Sequence, residues 1–341
     1  MPIETHVFAS GAYRKAKEIF VKDGNVWRDC KEKWVNDNGV WRLVFHKFFE
    51  FNADISGYNY NLRAAVMATG QWDGVTPVQA NLRVVGNLGS QPPPVPAHNP
   101  SSDADFNQLR RARMAEYANY PAFDSGNLPA GSEINLTVLP GIYLVGAGGQ
   151  GGYGYHTQKE SYRSDSGLAL WPWFWENGGA GSPAIRTSVK MNITNNGVIG
   201  GGGGGGAGSI GAVTQSYWQG KNFNSFTAGG FGGGGAGMIV GEVVPYPTNI
   251  DAPRSNFGYP GTLTAGGAGG SVWIVNGGAS GTPGGRGGDL GQPGGDGGSR
   301  LPLDITGYPQ YLRTGGAAGA AVIGSSHVTW RAYGDVRGPL V

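Results

Sequence analysis

Between Val78 and Val85 apolar and polar residues alternate, which sets Val78, Ala80, Leu82 and Val84 on one face of a half-buried strand. Residues 49–90 as a whole read as β-structure, and the run from Tyr60 to Val66 fits either a helix or a strand. Ile134–Val145 reads as two strands paired about a turn at Pro140-Gly141. Between these blocks, Pro92-Pro93-Pro94-Val95-Pro96 is stiff, extended punctuation. Ser101 or Ser102 then supplies an N-cap for a helix through Phe106, Leu109 and Met114, with Arg110, Arg111 and Arg113 on its solvated side. This is the one helix that the pattern supports without ambiguity.

A repeat precedes these elements. Glu18–Arg28, EIFVKDGNVWR, returns with a period of 14 at Glu32–Arg42, EKWVNDNGVWR. Each copy reads as strand, tight turn, strand. Asn38-Gly39 suits a type I′ hairpin, whose two central residues need positive φ. Phe20 matches Trp34 and Trp27 matches Trp41, so the copies are expected to be two small hairpins sharing an aromatic face.

From Gly126 the alternation gives way to glycine tracts at 146–152, 178–181, 200–208, 229–237, 266–270, 277–298 and 315–319. Glycine disfavours helix and strand interiors by about 0.5–1 kcal/mol relative to alanine. It suits an extended helix of three residues per turn that has no internal hydrogen bonds. The N–H and C=O groups of such a helix point outward and require partners. Side-by-side glycine helices can supply them, in a lattice packed by backbone. Gly285, Gly288, Gly291, Gly294 and Gly297 keep a step of three, which would give Arg286, Asp289 and Gln292 a common outward face.

Composition separates this chain from a flexible linker. Among 341 residues there are 65 Gly, yet also 10 Trp, 15 Tyr and 13 Phe, with a net charge of +2. Disordered chains combine few aromatics with high net charge. The balance lacks the strong basic excess of a nucleic-acid binder. Cys30 is the one cysteine, so neither an intrachain disulfide nor a cysteine metal cluster is available. The start MPIETHVFAS has no basic-then-apolar signature of export, and no run of about 18 apolar residues would span a membrane.

The large aromatics gather between the glycine tracts. Candidate binding residues are Tyr155, Tyr162, Trp171, Trp173 and Trp175 in the first segment, then Tyr217 and Trp218, Tyr246 and Tyr259, and Tyr308 and Tyr311 in the last. A backbone-packed slab has little apolar interior for these rings, so they are either exposed or clustered on one another. Exposed aromatic clusters mark binding sites, and Tyr and Trp combine large contact area with a polar tip. No catalytic, cofactor or metal site is expected. Gly146-Ala-Gly-Gly-Gln-Gly151 satisfies G-x-G-x-x-G but precedes no helical pattern. His6, His46, His98, His156 and His327 lack metal-ligand spacing. Asp165, Glu176, Asp289 and Asp296 read as surface carboxylates in preference to a glycosidase pair.

The glycine tracts with unlike aromatic segments between them resemble the distal adhesins of T-even-like bacteriophages. Gly70–Val78, Pro129-Ala-Gly-Ser132 and the ending Gly315–Trp330 carry the same likeness, and the 14-residue repeat is similar to short modules of tail and fibre proteins. The resemblance does not extend to the repeat-bearing N-terminus or place the 91–120 insertion. It implies a polyglycine-II sandwich whose loops recognise a bacterial surface receptor (a glycan, an outer-membrane protein or a pilus) without enzymatic activity. It also implies a virion tail location after synthesis in the host cytoplasm, contacts with other tail or baseplate proteins, and no nucleic-acid partner. A homotrimer is expected, with a monomeric tip as the alternative. The competing reading is a structural tail component whose loops face other virion proteins. The expected fold is mainly β and irregular with little α-helix: an N-terminal β-hairpin repeat over 1–48, a central β domain over 49–140 with the insertion near 91–120, and a glycine-rich receptor-binding domain over 141–341.

Overall fold

A computed structural model describes residues 6–9, 12–15, 20–23, 25–30, 32–37, 39–94, 112–154, 177–209, 213–218, 221–226, 230–241, 257–271, 282–298 and 313–341. The chain begins with three antiparallel pairs: β1 (His6–Ala9) with β2 (Ala12–Lys15), β3 (Phe20–Asp23) with β4 (Val26–Asp29), and β5 (Glu32–Asp37) with β6 (Val40–His46). The sequence repeat supplies the second and third pairs, and a further copy lies upstream of them. In the third pair Asp37 faces Val40 across a two-residue connection, Gly39 has φ +87°, and Asn36 Oδ1 accepts from Gly39 N at 2.8 Å. The expected common aromatic face involves side chains outside the description.

Next come β7 (Phe49–Tyr58), β8 (Tyr60–Asn61), α1 (Leu62–Ala68) and β9 (Val78–Gly89). The ambiguity over 60–66 resolves into both states: two strand residues, then a helix. Asn61 makes the switch, its Oδ1 accepting from Ala64 N at 2.9 Å as N-cap. The pattern alone had supported a single helix elsewhere. Of that one, residues 95–111 lie outside the description, while 112–116 are helical and Tyr117–Asn119 form a 3₁₀ turn.

Then follow β10 (Phe123–Asp124), β11 (Glu133–Val138), β12 (Tyr143–Val145), β13 (Ile185–Arg186), β14 (Lys190–Asn195), β15 (Val198–Gly200), the hairpin β16 (Val213–Trp218) and β17 (Lys221–Phe226), β18 (Val322–Ile323), β19 (Val328–Ala332) and β20 (Asp335–Arg337). The expectation that β11 and β12 pair about Pro140-Gly141 is not met. They bend away from each other at that turn, where Gly141 has φ +75°, and each pairs in parallel with strands of neighbouring passes.

The result is a parallel solenoid with three rows of strands. One row stacks β8, β10, β13 and β18; the second stacks β7, β9, β11, β14 and β19; the third continues β9 into β12, β15 and β20. Register is strict. Ala80, Ile134 and Met191 stack inward, as do Leu82, Leu136 and Ile193, all essentially buried. Phe123 sits between Tyr60 and Ile185, its ring stacked on Tyr60 at 5.9 Å, and burial raises the Tyr60 phenol pKa. Outside, an asparagine ladder fixes the same register: Asn192 donates to Asn135 at 3.0 Å, Asn135 to Asn81 at 2.9 Å and Asn81 to Asn52 at 2.9 Å. A one-residue slip would turn every buried side chain outward and break this ladder. The core draws on residues from both sides of position 140, from Ile55 to Val322.

Every long excursion leaves from the corner after the third row. The chain departs after β9, β12 and β15, and returns to β10, β13 and β18. The first departure is the 91–120 insertion, whose Met114 and Tyr117 are buried. The other two are built from the glycine tracts.

Candidate functional site

The glycine-rich excursions form a lattice around residues 200–209. Gly202 and Gly205 donate to Ser182 and Gly179; Gly203, Gly206 and Ser209 donate to Ala236, Gly233 and Gly230; Gly204 and Ala207 donate to Gln292 and Gly295. In return Gly146, Gly149 and Gly152 donate to the carbonyls of Gly200, Gly203 and Gly206. Gly319 and Gly316 donate to those of Gly202 and Gly205, and Gly291, Gly288 and Gly285 to those of Gly201, Gly204 and Ala207. Each of these sets advances in steps of three, so six neighbouring segments surround one central helix. Gly201 donates to Arg337, and every N–H from 201 to 207 and every C=O from 200 to 207 therefore has a partner. This full satisfaction makes a buried, nearly side-chain-free segment stable. Glycine is needed for close approach: a Cβ on Gly205 would overlap the Gln150 carbonyl, and one on Gly178 the carbonyl of Gly205.

The step of three expected over 285–297 holds, but in two helices and not one. The chain reverses at 289–292, where Gln292 N donates to Asp289 O and Gly291 has φ +70°. Arg286 and Asp289 do share the outside, 2.7 Å apart as an ion pair.

The two ends of the lattice differ. Beside the solenoid, connections are short: 289–292, and 262–265 closed by Thr262 N to Ala265 O. Val145, Ala236 and Leu290 pack there. At the opposite pole the chain bears its long insertions. A Cβ on Gly208 would strike Tyr153 O, so the departure at 154 lies beside the one at 209. Ser209 N donates to Gly230 O, and Gly230 N to Thr282 O. Thr282 Oγ1 donates to Gly298 O, Gly297 N to Arg313 O, and Thr314 N to Asn177 Oδ1. Gly270 N donates to Phe231 O. Insertions 155–176, 210–229, 272–281 and 299–312 thus begin and end at one pole. Insertion 242–256 leaves from Gly241 beside Gly235 and returns at Phe257.

An aromatic plug closes this pole. Tyr153 and Phe231 meet edge to face with centroids 4.7 Å apart, and Phe231 stacks on Phe257 at 4.7 Å. Tyr153 and Phe231 are fully buried. These rings serve packing, as the clustering alternative allowed. Phe231 was not singled out from sequence, although a lone large ring inside GGFGG is itself a signal that something must enclose it.

Of the candidate residues, Tyr259 is described with its side chain. It is 60% exposed, two positions from the plug, and its backbone bonds Gly234 and Ala268. Tyr217 and Trp218 occupy the end of β16, opposite Asn222 and Lys221. Tyr155, Tyr162, Trp171, Trp173, Trp175, Tyr246, Tyr308 and Tyr311 lie outside the described residues.

Elsewhere, polar groups have structural roles. Asp296 Oδ1 accepts from Gly315 N, and Asn195 ties the corner at Tyr333 and Asp335. Asp73 caps the 73–76 turn, while Trp72 Nε1 donates to Thr76 O, so the Gly70–Val78 motif is a built turn. Asp335 grips Arg337 with two oxygens and raises its pKa. A shallow groove lined by Asn52, Asp54, Asn81, Arg83, Asn135 and Thr137 crosses the solenoid's outer face. Its one ion pair, Arg83 to Asp54 at 3.3 Å, is mostly exposed and therefore weak. Among the described residues no three His, Cys, Asp or Glu side chains gather as a metal site.

No curated protein matches the chain. Among solved structures it is similar to the crystal structure of the gp37-gp38 adhesin tip complex of the bacteriophage S16 long tail fibre, at 22% identity and a TM-score of 0.42, over 87% of this chain and 83% of that one. The family model described as phage tail fibre adhesin Gp38 matches residues 48–341, which takes in the whole solenoid and every glycine tract. The chain belongs to the phage tail fibre adhesin Gp38 family.

Proposed function

We propose that this chain is the receptor-binding tip of a phage tail fibre and grips a bacterial surface through the insertions at the lattice pole. The observation that carries the reading is convergence. Insertions with unlike sequences and many rings begin or end at the one end of the lattice that has no short turns. A lattice whose stability comes from backbone bonds tolerates any sequence in the segments that join its helices. Trp171, Trp173 and Trp175 supply the densest aromatic surface, with Tyr155, Tyr162, Tyr217, Trp218, Tyr246, Tyr259, Tyr308 and Tyr311 around it. Binding is non-covalent, to a glycan, an outer-membrane protein or a pilus, and several copies per virion convert modest contacts into avidity. The chain, made in the host cytoplasm, is carried in the virion tail, and residues 1–48 serve attachment.

The test is binding of fluorescently tagged protein to a panel of bacterial strains. Strain-selective binding is expected. Changing Trp171, Trp173 and Trp175 together to Ala should lower it by roughly 100-fold or more, the scale of losing hot-spot aromatics, with an unchanged circular dichroism spectrum. Absence of binding by folded protein, on strains that the parent phage infects, would instead favour a structural role inside the tail.

A further inference from the structure

The 91–120 insertion has no part in the glycine pattern, yet its returning limb, 112–120, is built against the lattice. Residues 112–116 are helical and Tyr117–Asn119 form a 3₁₀ turn. Met114 and Tyr117, three positions apart, are buried, while Ala112, Ala115 and Ala118 are exposed, so one face of this limb packs. The end of the limb is tied to the solenoid. Ser90 Oγ donates to Tyr120 O, Arg186 Nη2 to Ala118 O at 3.4 Å, and Ala122 N to Pro183 O at 3.2 Å just before β10. Arg186 also pairs with Asp124 at 3.7 Å.

The surface that this limb meets is specific. The second excursion leaves the solenoid along 146–154, carries the insertion 155–176 and returns along 177–183. Its two limbs are stitched together by Gly179 N to Gln150 O and Ser182 N to Ala147 O, both at 2.8 Å. Met114 Cε lies 3.2 Å from the point that a Cβ on Gly179 would occupy, and Gln150 N lies 3.0 Å from the same point. The thioether end therefore reaches the seam between the limbs. Glycine helices have no side chains to interlock, so they are held by backbone bonds and by whatever packs over them.

From this contact we infer that 112–120 is a buttress for the excursion that bears Trp171, Trp173 and Trp175, with Met114 as its positioning residue. Anchored on the solenoid, the limb closes the seam and fixes where Gly154 and Asn177, the two ends of the Trp-rich insertion, stand. A preorganised binding segment loses less freedom when it engages its target. The effect on binding rests on the adhesin reading above, whereas the effect on the limbs rests on packing alone, so the two fail separately.

The experiment uses the full chain with Met114→Ala and Met114→Leu. By hydrogen exchange, amides of 147–152 and 178–182 should exchange at least about 10-fold faster in Met114→Ala. Those of 284–288 across the lattice, and of 80–84 and 134–138 in the solenoid, should keep their native rates. Limited proteolysis should cut 155–176 faster and 272–281 as before. Binding to whole cells of a strain that the parent phage infects should fall by about 10-fold. Met114→Leu, which keeps the volume, should restore exchange, cleavage and binding. Native exchange in both limbs of Met114→Ala, acceleration spread evenly over lattice and solenoid, or native cell binding by a protein whose limbs have loosened, would overturn the proposal. Were the unaltered protein to bind no cells, the adhesin reading would fall, and exchange and cleavage would still decide the buttress.

Discussion

Gly205→Ala should undo the glycine lattice, whereas Gly200→Ala should be nearly silent. The two residues belong to one unbroken glycine run. At Gly205 the new methyl would overlap the carbonyl of Gln150, and that backbone is held by its own bond to Gly179 N. Relief requires moving the central helix away from the 149–152 segment, which strains the bonds from Gly205 to Gly179 and from Gly316 to Gly205. Overpacking costs about 1–3 kcal/mol where side chains can yield; here backbone must, and a loss of at least about 3 kcal/mol is expected. That corresponds to a fall in Tm of roughly 6–12 °C at the 2–4 °C per kcal/mol typical of larger domains. At Gly200 the nearest atoms are the tips of Leu290 and Val145 at 3.6 Å, ordinary contact distance. Calorimetry on the two variants checks the contrast. Equal behaviour would mean that the tracts are not held by close backbone approach.

The plug gives the second large effect. Phe231→Ala should cost about 3–5 kcal/mol, the usual range for emptying a buried aromatic site, and the edge-to-face and stacked partners add to the loss. Phe231 is 2% exposed and lies between Tyr153 and Phe257, the residues that begin one insertion and end another. Its removal should therefore loosen the pole first. Limited proteolysis should cut the insertions faster, and binding to host cells should fall by more than about 10-fold. The solenoid core shares no residue with the plug, so its thermal transition should stay in place. Phe231→Leu, which refills most of the volume, should recover most of both readouts.

These effects trace how far the sequence could be read. Strand β9 was legible because Val78, Ala80, Leu82 and Val84 alternate, and all four are buried. The step of three among the glycines was legible because it reflects three residues per turn within one helix. Its partners were not, since each helix bonds segments far along the chain, Gly201 with both Gly291 and Arg337 for example. The turn at 289–292 was hidden for the same reason: a glycine carries no side chain to say on which helix it lies. β11 and β12 read as a local pair because proximity favours hairpins, and only the parallel neighbours from other passes show otherwise. The first hairpin, β1–β2, escaped notice because Ser10-Gly11 and Tyr13 replace the Asn/Gly and Trp of the other copies. Sequence marked which segments are rich in rings, and the structure adds that both ends of 155–176, 210–229, 272–281 and 299–312, and the return of 242–256, lie at one pole.

The central claim is that the lattice pole, and no other surface, meets the host. Hydroxyl-radical footprinting of the full chain, free and bound to cells of a susceptible strain, tests it most directly. Protection should fall within 155–176, 210–229, 242–256, 272–281 and 299–312, together with Tyr259, while Asn52, Asn81 and Asn135 on the solenoid face react as before. Protection confined to that asparagine face, with the insertions still fully reactive, would contradict it.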